Sequence, residues 1–251
     1  MKNLFLKIGW LYPDLMSTYG DRGNAIALEK RAKWRDIGIE IKKIFVETDD
    51  SEISSCDILF MGGAQDKQQE IVNRDLQKGK GEVIIRAVES NIPALFVCGA
   101  YQFMGKYYRT AESKKLPGLG LFNLYTENPG LNYKRLIGNI IIESSIKYQV
   151  LNIKIVGFEN HGGRTYLTDK SQAFATVVKG YGNNGEDKTE GICYKNAIGT
   201  YLHGPILPKN PELADWFIKK ALEVKYKEKV NLKQLDDKLE YKAKEYIINK
   251  I

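Results

Sequence analysis

Cys98 stands between an apolar run, Ile92-Pro93-Ala94-Leu95-Phe96-Val97, and the segment Gly99-Ala100-Tyr101-Gln102. That order spells a buried strand, a sharp turn and a helix, with a thiol on the turn. A free thiol titrates near pH 8.5, so only about a few per cent is thiolate at neutral pH. A helix N-terminus behind the sulfur favours the anion, because its free N–H groups and partial positive charge face it. Gly99 and Ala100 spare the turn a side-chain clash, and the Gly99 N–H points where an oxyanion would form. A second glycine-rich strand end, Gly62-Gly63-Ala64, can supply the other donor. The competing account is a small buried apolar cysteine at a strand end.

A thiol nucleophile needs a base, and the chain offers two histidines. His203 ends the apolar run Ile198-Gly199-Thr200-Tyr201-Leu202 and precedes Gly204-Pro205. A neutral imidazole there would take the thiol proton and later protonate a leaving amine. His161 lies in Phe158-Glu159-Asn160-His161-Gly162-Gly163-Arg164, which reads as a polar loop after a strand. His203 is favoured as the base. His161 is the alternative, in a setting that looks more like a substrate-contacting loop. Either could instead be a structural histidine.

The elements that must position these groups alternate. Strands are expected over 4–8, 39–46 and 57–61, and helices over 24–37 (ended by Gly38), 68–78 and 82–89. This β-α-β rhythm predicts an α/β protein with a mostly parallel sheet covered on both faces. After Gly118 the texture becomes β-rich, with strands expected over 136–144, 153–158, 173–178 and 192–202. An amphipathic helix follows over 211–224. The domain is expected to span 1–225, with 226–251 as a charged, helical tail or docking segment.

The 251 residues suit one large domain, and 43% hydrophobic and 27% charged residues are ordinary for a soluble one. No apolar run approaches a membrane span, and the N-terminus lacks a secretory signal. Three scattered cysteines argue against a disulfide framework or a zinc site and for a reduced, cytoplasmic setting. The +7 charge fits lysine-rich helix surfaces or attraction to an acidic partner or anionic lipid; nucleic acid is not expected. Gly180-Tyr181-Gly182-Asn183-Asn184-Gly185 matches a dinucleotide fingerprint, but Glu186-Asp187-Lys188 follows where an apolar helix is needed. It reads as a loop, and no ATP site is visible.

The Cys98 turn, the Gly62-Gly63 strand end and the late His203 resemble class I glutamine amidotransferases of the cobyric-acid-synthase-like branch. Residues 19–24, 98–103, 157–166, 181–187 and 199–209 resemble, more narrowly, the glutaminase subunits of lipid II isoglutaminyl synthases. The resemblance implies a three-layer, flavodoxin-like fold. It implies hydrolysis of L-glutamine by a Cys98–His203 pair, with Gly63, Ala64 and Gly99 lining the oxyanion hole. Gln102, Arg135, Asn160, His161 and Gly162 would contact substrate, Arg135 through its planar fork on a carboxylate. It implies no cofactor in this chain. ATP and Mg would sit on a Mur-ligase-like partner, MurT, in a heterodimer that reaches lipid II at the inner face of the membrane. Pro205 stands where most class I enzymes carry the glutamate that orients the histidine, so the orienting group is open. Asp21 is a candidate but reads as a helix cap. Phe96 and Ala100 replace smaller residues around the elbow. The rival readings are a cobyrinic-acid-type amidotransferase, another cysteine hydrolase of this fold, or a non-catalytic binding module.

Overall fold

The computed structural model describes residues 4–144 and 153–250. Strands and helices are numbered along the chain. The central sheet holds β1 (Phe5–Leu11), β2 (Gly38–Ile44), β3 (Ile58–Met61), β4 (Ala94–Val97), β13 (Ile192–Tyr194) and β14 (Ala197–Thr200). Their spatial order is β13-β14-β4-β3-β1-β2, and every pair is parallel except β13–β14. β3 (ILFM) and β4 (ALFV) are buried along their whole length, as strands covered on both faces must be. β2, at the edge, is half polar and carries Lys42 and Lys43, which discourages further pairing.

Helices α1 (Arg22–Lys33), α2 (Ser51–Ser54), α3 (Asp66–Asp75), α4 (Gly81–Glu89) and α5 (Gly99–Phe103) alternate with these strands; α6 (Ile206–Lys209), α7 (Pro211–Tyr226) and α8 (Lys238–Lys250) close the chain. α7 opens with Pro211 in its first turn, where the missing N–H costs nothing, and stops at left-handed Lys227. The β-rich half forms two four-stranded sheets. One contains β5 (Tyr107–Arg109), β6 (Lys115–Pro117), β7 (Leu124–Glu127) and β10 (Arg164–Leu167); the other contains β8 (Leu136–Ser144), β9 (Lys154–His161), β11 (Ala175–Lys179) and β12 (Thr189–Glu190).

Three expectations shift. α1 ends at Lys33, earlier than expected, because Asp36 takes a left-handed φ of 57°; Gly38 opens β2 instead of ending the helix. The run 192–202 is a hairpin, turned at Lys195 (φ 51°), not one strand. His161 is the last residue of β9, paired with Leu136, and not in a loop. The 180–185 glycine segment is a turn between β11 and β12 with no helix after it. Among the described residues, no helix is long and apolar enough to cross a membrane.

Candidate active site

The elbow forms where β4 runs into α5. Cys98 takes φ 53° and ψ −105°, outside the regions an L-residue prefers, at a cost of about 1–3 kcal/mol. Neighbours hold it there: its N–H donates to Thr200 O at 2.8 Å, and its carbonyl accepts from Gln102 N–H at 3.0 Å. Phe96 fits this tight bend because its ring packs edge-on against Phe122 and its partner across β14 is Gly199. Gly99 is needed for space, since a Cβ there would lie 2.9 Å from Gln69 Nε2 and 3.4 Å from Ala64 N. The Gly99 and Ala64 backbones therefore approach one another beside the thiol.

His203 follows β14 by three residues, and its backbone is clamped to Phe158 of β9 by two hydrogen bonds, at 2.7 and 3.2 Å. Its Nδ1 lies 3.0 Å from Asp21 Oδ1, and both side chains are fully buried. A carboxylate only accepts, so Nδ1 carries the proton and Nε2 is left without a partner among the described residues. Asp21 Oδ2 accepts the Gly63 N–H at 2.8 Å. Asp21 thus does not cap α1; its side chain makes no capping bond and turns to the imidazole instead. Burial alone would lower the His203 pKa, but the charges of Asp21 and Cys98 and the hydrogen bond to Asp21 outweigh it and push it up to about 10. Gly63 sits between the two reactive groups. A Cβ there would be 2.9 Å from His203 Cε1 and 3.1 Å from Cys98 Cβ.

A cavity of about 210 Å³ opens at Cys98, walled by Ala64, Gln69, Gln102, Arg135, His161 and Gly162 among others. Arg135 is braced by Asn160, donating from Nε to Oδ1 and from Nη2 to the backbone O, both at 2.8 Å. His161 donates from Nδ1 to Gly163 O at 2.8 Å and stacks on Tyr201 at 3.6 Å and 5°. Burial lowers its pKa against the pull of Glu159 and of Gly163 O. The structure thus brings Cys98, Ala64, Gly99, Gln102, Arg135, His161 and Gly162 to one cavity region, with Gly63 and His203 against Cys98. Asn160 acts on Arg135. Sequence reasoning named Asp21 as a candidate to orient His203 but preferred it as a helix cap, and it missed Gln69 and Tyr201. Only Tyr201 left a trace, two residues before His203 and hence on the same face of an extended segment. A larger hollow of about 950 Å³ lies between α7 and the tail, away from this chemistry.

The site stands at the carboxyl ends of β1, β3, β4 and β14, where open parallel sheets place their ligands. The sequence profile of the CobB/CobQ-like glutamine amidotransferase domain matches residues 7–211. The GatD subunit of lipid II isoglutaminyl synthase (glutamine-hydrolyzing) from Staphylococcus aureus is 44% identical over 94% of this chain and 92% of its own. The subunit of the same name from Streptococcus pneumoniae is 38% identical over 96% and 90%. In structure, the glutaminase domain of Trypanosoma brucei CTPS with bound acivicin superposes with a TM-score of 0.56 at 12% identity, covering 91% of this chain and 97% of that one. Fold and profile together define a class I glutamine amidotransferase. Within that class the chain belongs to the family of glutamine-hydrolysing GatD subunits of lipid II isoglutaminyl synthase.

Proposed function

We propose that Cys98 and His203 hydrolyse free L-glutamine to glutamate and ammonia for a partner subunit. His203 Nε2 holds the proton given up by the Cys98 thiol, and the resulting thiolate attacks the side-chain carboxamide carbon. The developing oxyanion is met by backbone N–H groups of Ala64 and Gly99, with Gly63 shaping the loop. As the C–N bond breaks, His203 returns its proton to the amine, and ammonia leaves a glutamyl thioester on Cys98. A water, deprotonated by the same nitrogen, then frees glutamate. Arg135, held by Asn160, takes the substrate α-carboxylate, while Gln102, His161 and Gly162 line its amino-acid end. Asp21 holds the Nδ1–H, stabilises the imidazolium and keeps Nε2 turned to the sulfur.

The ammonia is passed to a Mur-ligase-like subunit, MurT, that carries ATP and Mg and activates the D-glutamate α-carboxylate of the lipid II stem peptide. Residues 1–225 act as the amidotransferase domain, with 226–251 as a segment appended to it that contains α8. The observation that carries the proposal is the buried line from Asp21 through His203 to Cys98. It is tested by ammonia release from L-glutamine, with the partner present, for wild type and Cys98→Ala. The variant is expected to release none and to keep the wild-type circular dichroism. Undiminished release would remove Cys98 from the reaction.

A further inference from the structure

Gln69, on α3, is 4% exposed and lies against both strand ends that frame the thiol. Its Nε2 donates to Ala64 O at 2.8 Å, and the same nitrogen stands 2.9 Å from where a Gly99 Cβ would be. A carbonyl cannot donate, so this bond fixes which way the Gln69 amide faces. Its Oε1 is left buried with no hydrogen-bond partner among the described residues. Such an orphan acceptor is costly to bury unless something fills it. Gln69 also walls the Cys98 cavity.

We propose that Gln69 Oε1 is a specificity determinant that accepts an N–H of the substrate's side-chain carboxamide. The proposal deepens the glutaminase assignment and rests on it. The carboxamide oxygen goes to the Ala64 and Gly99 N–H groups, so its NH2 lies beside them and needs an acceptor close by. Gln69 is the buried side chain that touches both segments. Gln102 also has an unpartnered Oε1, but its Nε2 is bonded to Tyr201 and it packs by Gly163, toward the Arg135 end of the cavity. One carboxamide N–H held by Gln69 leaves the nitrogen lone pair free for the proton returned by His203. Glutamate has no N–H at that position and would set a carboxylate oxygen against Oε1, so substrate is favoured over product.

The test compares L-glutamine with L-glutamate γ-methyl ester, which presents the same carbonyl with no N–H on its leaving group. Glutamate formation is followed for wild type, Gln69→Leu and Gln69→Glu with the partner ligase present. In Gln69→Leu the ratio of kcat/KM for glutamine over ester is expected to fall about tenfold or more. In Gln69→Glu, which keeps an acceptor oxygen but loses the bond to Ala64 O, the ratio is expected to stay near wild type even as both rates fall. An unchanged ratio in Gln69→Leu overturns the proposal and leaves Gln69 as a brace for the Ala64 loop. Gln69→Met carries the same comparison should the leucine variant not fold. A wild-type chain that hydrolyses neither substrate removes the glutaminase assignment itself, and the proposal with it.

Discussion

At the scale of single residues, the Asp21 carboxylate does two things with its two oxygens. One holds the His203 Nδ1–H, and the other holds the Gly63 N–H in the loop that leads to Ala64. Asp21→Asn keeps the size and removes the charge, and kcat for glutamine is expected to fall about 10²–10⁴-fold. The His203 pKa, pushed up to about 10, sits above the ordinary value of about 6.5. The folded chain therefore binds this proton where the unfolded chain has lost it. The resulting stabilisation is complete below about pH 6.5 and disappears as the pH rises through about 10. Thermal melts of wild type and Asp21→Asn are expected to differ most at the lower end of that window and to converge at its upper end. A constant gap would separate Asp21 from the imidazole's protonation.

At the scale of elements, the site depends on how closely strand ends approach. Gly63→Ala would drive a methyl group against His203 Cε1 and Thr18 Oγ1, each 2.9 Å away. Glutaminase activity is expected to fall about 10²-fold or more, with a melting point only a few degrees lower, because misplacing reactive atoms by about 1 Å is enough. The end of β14 is pinned by Glu190, whose Oε1 accepts from Thr200 Oγ1 and Tyr201 N at 2.7 and 2.8 Å. Burial pushes the Glu190 pKa up to about 7, against the hydrogen bonds that favour its charge. Its contribution to stability is thus present below the ordinary carboxyl range and lost as the pH rises to about 7. Glu190→Gln is expected to flatten that decline in melts taken from about pH 5 to about pH 8. Much of this element scale was legible in the sequence. The runs ILFM and ALFV, each followed by glycine or Cys-Gly, could only be buried strands turning at their ends. The hairpin at Lys195-Asn196 was not, since neither residue interrupts an apolar run as glycine or proline would. The Asp21–His203 contact spans 182 residues and follows from sheet order, which no local pattern carries.

At the scale of the whole molecule, the charged tail is part of the folded body. Arg31 of α1, 4% exposed, is clamped by Asp215 of α7 at 2.7 and 2.9 Å and by Asp237 of the tail at 2.6 and 2.8 Å. Arg35 adds a bond to Lys233 O at 2.6 Å, and Lys244 of α8 pairs with Glu212 at 3.0 Å. The sequence showed only a polar helix, because paired and solvated charges look alike until their partners are placed. Asp237→Ala is expected to cost about 2 kcal/mol in denaturant unfolding, as a charged hydrogen bond to a buried guanidinium would, and to leave ammonia release unchanged. What the folded body achieves as a unit is to bring a thiol and an imidazole, 105 residues apart in number, around one glycine. The most direct test is intact mass and peptide mapping after incubation with a diazoketone analogue of glutamine, which alkylates an activated thiol in a glutamine site. The expected result is a single adduct on Cys98, slowed strongly by His203→Ala and blocked by excess L-glutamine. An adduct on Cys56 or Cys193, or labelling of Cys98 indifferent to His203 and to glutamine, would contradict it.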